Sequence, residues 1–532
     1  MFSCPLIRNA GRIYDGMLKY ERYLFALFLA VSLLQLWLTR YVPSLDGPQH
    51  LYNANVLAEL LKGNELFRAF FSVNEVIVGY WTGHFFLTFF HMLFPAWLAE
   101  KLFLTAYVLA MVFSFRYLVR SMNPAKGNFV SFLIFPFVYH SYLLLGYYSF
   151  SIAAIFFFLA IGYWIRYYKD FTWIRVLVFA LLTLGIFLSH GLVFVLFGIT
   201  FVILYASIFL HAGITEKRGE RSKKWFTTGL KSAVAVLPSL ILWIIYIRSV
   251  MSINSTVIEP SFSFTELVKF LMRIRQLVGF HHELEAIGYI PVFILIVVLT
   301  LTFLALFLQN VKYGTAKFSD LLDKRNAWIF VSLAFLGLYF FAPDRISAGS
   351  LTHRFGLFFW LALITWLAVQ KFPKVFHIIA LVVLLLSTSY SRIVHQRFYH
   401  QLNSDISDLE ELAGRMEPNS TVYSLNASHN WVQRHFPLYA ASDDPLVHLR
   451  NPQCQGQFPV VWNNEALPAC YAGDRRVDLP GSKGGGESGI VMEVDYITVF
   501  GHEKFVSDST NVEWHAILNN YYEQVYTTAN GK

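Results

Sequence analysis

The stretch Ser44-Leu45-Asp46-Gly47-Pro48-Gln49-His50-Leu51-Tyr52 carries a carboxylate and an imidazole four positions apart, with Gly-Pro between them. Glycine frees the backbone and proline fixes φ, so the pair belongs to a tight turn. A carboxylate held there can take the proton of an attacking hydroxyl, and His50 can orient it or share that proton. The plainer alternatives are that Asp46 caps the helix that follows and that His50 is an ordinary interfacial histidine. Late in the chain, Arg345 and Arg354 carry permanent charge and paired donors that suit phosphate oxygens, with His353 as an added donor. For either arginine the competing reading is a side chain reaching to the membrane surface. His84 and His190 are further candidates to line a substrate or phosphate pocket, as is His140; the plainer reading of His140 and His190 is a satisfied interfacial histidine. His281-His282-Glu283 resembles half of a metal site without a third ligand nearby, so no metal-binding residues are assigned.

The elements that position these groups follow from composition. Of 532 residues, 56% are hydrophobic, 18% aromatic and 14% charged, with mean hydropathy +0.49, which makes this a polytopic α-helical membrane protein. The net charge of +8 resides in short loops between apolar runs, so it reports orientation and calls for no nucleic acid. Taking the basic loops around Arg116–Lys126, Arg166–Arg175, Lys217–Lys224, Lys312–Arg325 and Lys371–Lys374 as cytoplasmic, spans are expected at about 23–38, 97–119, 128–145, 149–168, 174–190, 191–211, 229–250, 289–309, 327–342, 355–370 and 375–391. That is about 11 crossings, with the N-terminus cytoplasmic and the tail exoplasmic. The scheme lays 76–94, broken by Gly79 and Gly83 and rich in aromatics, along the interface; the alternative is that it spans and another segment does not. Leu51 to Phe71 reads as an amphipathic helix beside the membrane, holding Asp46 at a fixed depth.

Two parts are therefore expected: a transmembrane domain, 1–394, with a catalytic first exoplasmic loop at 41–96, and a small C-terminal exoplasmic α/β domain, 395–532. In the tail, Asp405 to Met416 reads as a short helix, Thr421 to Leu425 and Gly489 to Phe500 as strands, Gly481 to Gly489 as a flexible loop, and Glu513 to Val525 as a last helix and strand. Cys454 and Cys470 are free thiols or, in an oxidising compartment, a disulfide. Sequons start at Asn254, Asn419 and Asn426, close to the number that chance gives. His429, Trp431, His435 and Tyr439 read most simply as packing residues, with a sugar or acceptor platform as the alternative.

A first span, an exoplasmic loop beginning with an Asp just past the membrane, interfacial helices, further spans and an exoplasmic tail together resemble the GT-C superfamily of membrane glycosyltransferases. The strand Val494-Asp495-Tyr496-Ile497, with Asn519, Tyr521, Tyr522 and Glu523 near the end, is similar to the domains that close many bacterial members. The resemblance implies transfer of a sugar from a polyprenyl-phosphate donor to an exoplasmic lipid, glycan or protein, in the inner membrane if the cell is bacterial. Asp46 would be the base or bind a metal, with His50 beside it. Many members have two adjacent acids at this point; here Gly47 follows Asp46, which disfavours the metal version, and a divalent cation is not required. The rival classes are a transporter or flippase of lipid-linked glycans and a non-catalytic envelope assembly protein. Transporters place ionisable groups within spans, whereas charge here gathers in loops.

Overall fold

A long apolar run in lipid can satisfy its backbone only as a helix, and the computed structural model is mostly helical. It describes residues 5–124, 127–215, 218–253, 258–259, 262–346, 350–454, 456–463, 494–508 and 511–528. Among the described residues, six helices are long and apolar enough to cross a membrane: Ala96–Met122, Tyr148–Asp170, Gly191–Ile214, Lys224–Ser249, His282–Lys312 and Lys374–Ala413. Shorter apolar segments lie at Phe129–Leu144, Trp173–Ser189, Trp328–Phe341 and Thr352–Ala368. The chain is an integral-membrane protein. It divides into two compact units, one of residues 1–35, 106–143 and 150–395, the other of residues 36–105, 144–149 and 396–532.

The first unit is a helical bundle around Thr352–Ala368, which is buried along nearly its whole length. Its outer helices expose leucine and isoleucine: Ile241, Ile245 and Leu301 are each about half uncovered, as lipid-facing residues should be. The expected span at 128–145 is not one helix. It breaks into a 3₁₀ turn Phe129–Leu133 and the short helices Ile134–Val138 and Ser141–Leu144. Pro136 removes a backbone donor within the run, and Tyr139 leaves helical geometry at ψ 56°.

His281-His282-Glu283 also reads differently in three dimensions. His281 is the N-cap of the helix His282–Lys312, its Nδ1 accepting from Leu284 N at 3.3 Å. Glu285, one residue past the motif's neighbour, accepts from the backbone N–H groups of Gly279, Phe280 and His281 at 2.6–2.7 Å and pairs with buried His395 at 3.1 Å. The motif is a helix start, tied down by a buried carboxylate.

The second unit holds two of the three sheets among the described residues. Strands β4 (Thr421–Asn426), β5 (Val447–His448) and β7 (Tyr496–Phe500) form a parallel sheet in the order β5-β4-β7. Strand β1 (Phe71–Val73), from the first loop, pairs antiparallel with β6 (Val460–Trp462), from the tail. Strands β2 (Ile258–Glu259) and β3 (Arg345–Ile346) pair in the other unit. Loop and tail also share one core, in which Tyr52, Val56 and Phe67 pack with Val422, Leu446 and Trp462.

That core corrects the expected amphipathic helix. The stretch forms two helices, Gly47–Lys62 and Glu65–Phe70, parted where Gly63 turns left-handed at φ 85° and Asn64 caps the second. The first is buried on all sides as far as Glu59. Its polar face meets the tail: Asn55 Nδ2 donates to the carbonyls of Ala441 and Asp444, Asn451 Nδ2 to Asn53 Oδ1, and the Tyr52 hydroxyl to Leu446 O. Within 76–94 the helix is Trp81–His91, 11 residues or about 16 Å, which is half of a bilayer core.

In the tail, Asp405–Met416 is no separate helix. The last membrane helix runs unbroken from Lys374 to Ala413, through the expected boundary at 395. The final helix is Val512–Tyr521, and no strand follows among the described residues. Cys454 is buried and unbridged, taking a hydrogen bond from Asn451. Cys470, Asn254 and the 481–489 loop lie outside the described residues.

Candidate active site

Asp46 stands at the N-cap of the Gly47–Lys62 helix, with Pro48 in its first turn, yet its side chain makes no capping hydrogen bond. The carboxylate keeps 19% of its surface exposed, and the His435 Nε2 lies 3.9 Å from its Oδ1.

Three layers hold the turn. Asp46 N donates to Leu145 O at 2.9 Å, and Gly47 N to Ser44 Oγ at 3.1 Å. Before it, Tyr41 and Asn403 exchange hydrogen bonds, and the Tyr41 hydroxyl reaches Glu410 at 2.8 Å. Beneath it, fully buried Glu100 accepts from the Tyr148 hydroxyl at 2.5 Å.

Two glycines make the close approach possible. A Cβ on Gly146, whose φ is +87°, would sit 2.5 Å from Gly47 N, and one on Gly47 would sit 2.3 Å from Ser44 Oγ and 3.1 Å from Glu100 Oε1. A side chain at position 47 would force Ser44, Tyr148 and Glu100 to shift. The nearby second carboxylate is Glu100, on another helix. Glu100 was not singled out from the sequence; an acid within an apolar run was the signal available.

His50 is turned elsewhere than expected. Its Nδ1 lies 3.4 Å from His84 Nε2, and its ring packs on Tyr148. His84 Nδ1 donates to Tyr80 O at 2.9 Å. Burial holds both imidazoles neutral: His50 falls well below its ordinary pKa, with His84 adding to the effect, and His84 falls to about 4. The imidazole next to the Asp46 carboxylate is that of His435, one of the four tail residues read from sequence as packing.

In the other unit, Arg354 lies over the rings of Tyr142 and Phe150, its Cζ 5.5 Å from each centroid. His190 packs edge-on to the same Phe150 at 5.2 Å, and its Nδ1 accepts from Leu192 N. His353 sits between Phe262 and Phe270. Arg354 and His190 thus meet on one aromatic ring. His140 is fully buried and bound to Leu143 N and the Tyr107 hydroxyl. The backbone of Arg345 pairs with Glu259 across β2 and β3; its side chain lies outside the described residues.

No protein-family model matches the sequence, and no curated protein does. Among solved structures, the chain is similar to ArnT from Cupriavidus metallidurans in the apo state, at 10% identity and a TM-score of 0.45 over 80% of this chain and 85% of that one.

Proposed function

We propose that this chain is a GT-C-type membrane glycosyltransferase that moves a sugar from a polyprenyl-phosphate donor to an exoplasmic acceptor. The observation that carries the reading is the Asp46 turn: a partly exposed carboxylate 3.9 Å from His435, on a backbone held by Ser44, Leu145, Gly47 and Gly146. Rigid placement of a proton acceptor is what general-base catalysis needs.

Asp46 accepts the proton of the acceptor hydroxyl as that oxygen bonds to the anomeric carbon. The bond from that carbon to the phosphate oxygen breaks, its electron pair stays on the phosphate, and polyprenyl phosphate leaves. A positioned base contributes about 10²–10⁴ in rate. Arg354, with Arg345, His353 and His190 as further candidates, binds the phosphate and steadies the charge that grows on it; His84, buried with its ring nitrogens turned to Tyr80 and His50, is withdrawn from that set.

The test is a panel of polyprenyl-phosphate sugars in proteoliposomes of the purified chain. Release of polyprenyl phosphate in step with sugar incorporation supports the reading. Movement of an intact lipid-linked sugar across the bilayer, with no bond broken, assigns the chain to the transporter class instead.

A further inference from the structure

The end of the tail encloses a large space in the second unit. A cavity of about 1040 Å³ lies between β7, the end of the long helix Lys374–Ala413, the helices His502–Ser507 and Val512–Tyr521, and the segment 521–528. The two stretches that stand out in the tail's sequence, 494–497 and 519–523, line it. Separated in the chain, they meet at this one space.

Its walls are anchored by their own contacts. Asp495 Oδ2 accepts from Thr421 N at 2.7 Å and from the Thr421 hydroxyl at 2.8 Å, which locks the start of β7 to β4. The Tyr496 hydroxyl accepts from Glu417 N at 3.2 Å, tying β7 to the turn after the long helix. Past the last helix, the Tyr526 hydroxyl donates to Glu411, and its ring lies 4.9 Å from the Arg415 guanidinium. The final segment is thereby strapped to the end of the long helix and the turn beyond it.

The lining selects the class of ligand. Among the described residues that line the cavity are three carboxylates, Asp408, Asp495 and Glu523, and one guanidinium, Arg415, already laid on Tyr526. Such a surface disfavours phosphates and other anions. It offers instead the rings of Tyr496 and Tyr521 beside the amide of Asn519 and the carboxylate of Glu523. Tyr521 is 55% exposed, and Asn519 and Glu523 are exposed, so these groups stand open at the rim. A neutral sugar has an apolar ring face and a rim of hydroxyls; aromatic rings meet the first, carboxylate and amide groups the second. The volume lies at the top of the range for ligand pockets, about 300–1,000 Å³, which is room for several linked sugars.

We propose that this cavity binds a neutral oligosaccharide, the glycan acceptor, with Tyr521 stacked on a sugar ring and Asn519 and Glu523 bonded to its hydroxyls. The binding claim needs only the structure of this unit; the role of acceptor rests on the function proposed above.

The probe is a panel of neutral glucan, mannan, galactan and arabinan fragments, titrated calorimetrically against the full-length chain in a detergent without a sugar headgroup. Wild type is expected to bind at least one fragment. Tyr521→Ala, at a position exposed enough for folding to tolerate, should weaken that binding by about tenfold, and Tyr521→Phe, which keeps the ring, should retain most of it. The Asn519→Ala/Glu523→Gln variant should weaken it as well. No fragment bound, or equal binding by wild type and Tyr521→Ala, overturns the site. Displacement of the sugar by a Ser/Thr-rich peptide assigns the space to an extended polypeptide and also overturns it. Transfer is read separately, with polyprenyl-phosphate sugars added. Binding by a chain that transfers no sugar sinks the transferase reading and leaves the cavity standing, whereas transfer to the bound glycan by Tyr521→Ala at wild-type KM overturns the acceptor role.

Discussion

The two units differ in which charged groups stand partly open. In the bundle of residues 1–35, 106–143 and 150–395, buried ionisable groups are matched or laid on aromatic faces: Glu285 against three backbone donors and His395, Arg354 over Tyr142 and Phe150. In the unit of first loop and tail, Asp46 stands at a helix start without serving as its cap, and two buried imidazoles beneath it are kept neutral. Matched charge in an apolar bundle is structural economy. Asp46 and Arg354 are accordingly the residues on which the proposed base and phosphate-binding roles are tested.

Breaking the cationic side of that contrast should have the largest effect. Arg354→Gln is expected to lower kcat/KM for the polyprenyl-phosphate donor by about 10²–10³, with Arg354→Lys recovering only part, because the ammonium lacks the planar paired donors. A steady-state comparison of the three enzymes checks it; equal values would place Arg354 among purely structural groups. Next come the supports of the turn. Tyr148→Phe leaves buried Glu100 without its donor and should cost about 1–3 kcal/mol by denaturant unfolding. Gly146→Ala should cost about 1–2 kcal/mol for the left-handed backbone alone, and more through its contact with Gly47, with activity falling alongside.

A dependence on pH sharpens the comparison further. His84 in the native state titrates at about 4, below its ordinary value near 6.5. Between those limits the unfolded chain holds the extra proton, so stability is full above about 6.5 and declines as pH falls toward about 4. Replacing His84 by Asn should flatten that decline by about 1.4 kcal/mol per pH unit, read from unfolding midpoints across the window.

Much of this was legible in the residues. Apolar runs announced the long helices, and Asp-Gly-Pro announced a turn with chemistry in it. The periodicity of Leu51, Ala54, Leu57 and Leu61 announced a helix, but its polar face does not meet water: Asn53 and Asn55 bond residues some 390 positions away in the tail. No local pattern carries such pairing, nor that of β1 with β6. The same limit hid Glu100, whose meaning depends on Tyr148 and Gly47 folding over it, and it set His435 rather than His50 beside the Asp46 carboxylate.

The most direct test of the account is transfer by Asp46→Asn in proteoliposomes, beside its unfolding midpoint. The substitution keeps size and removes basicity, so the account predicts a normal midpoint with product formation down by at least a hundredfold. Wild-type turnover by the asparagine variant would contradict it.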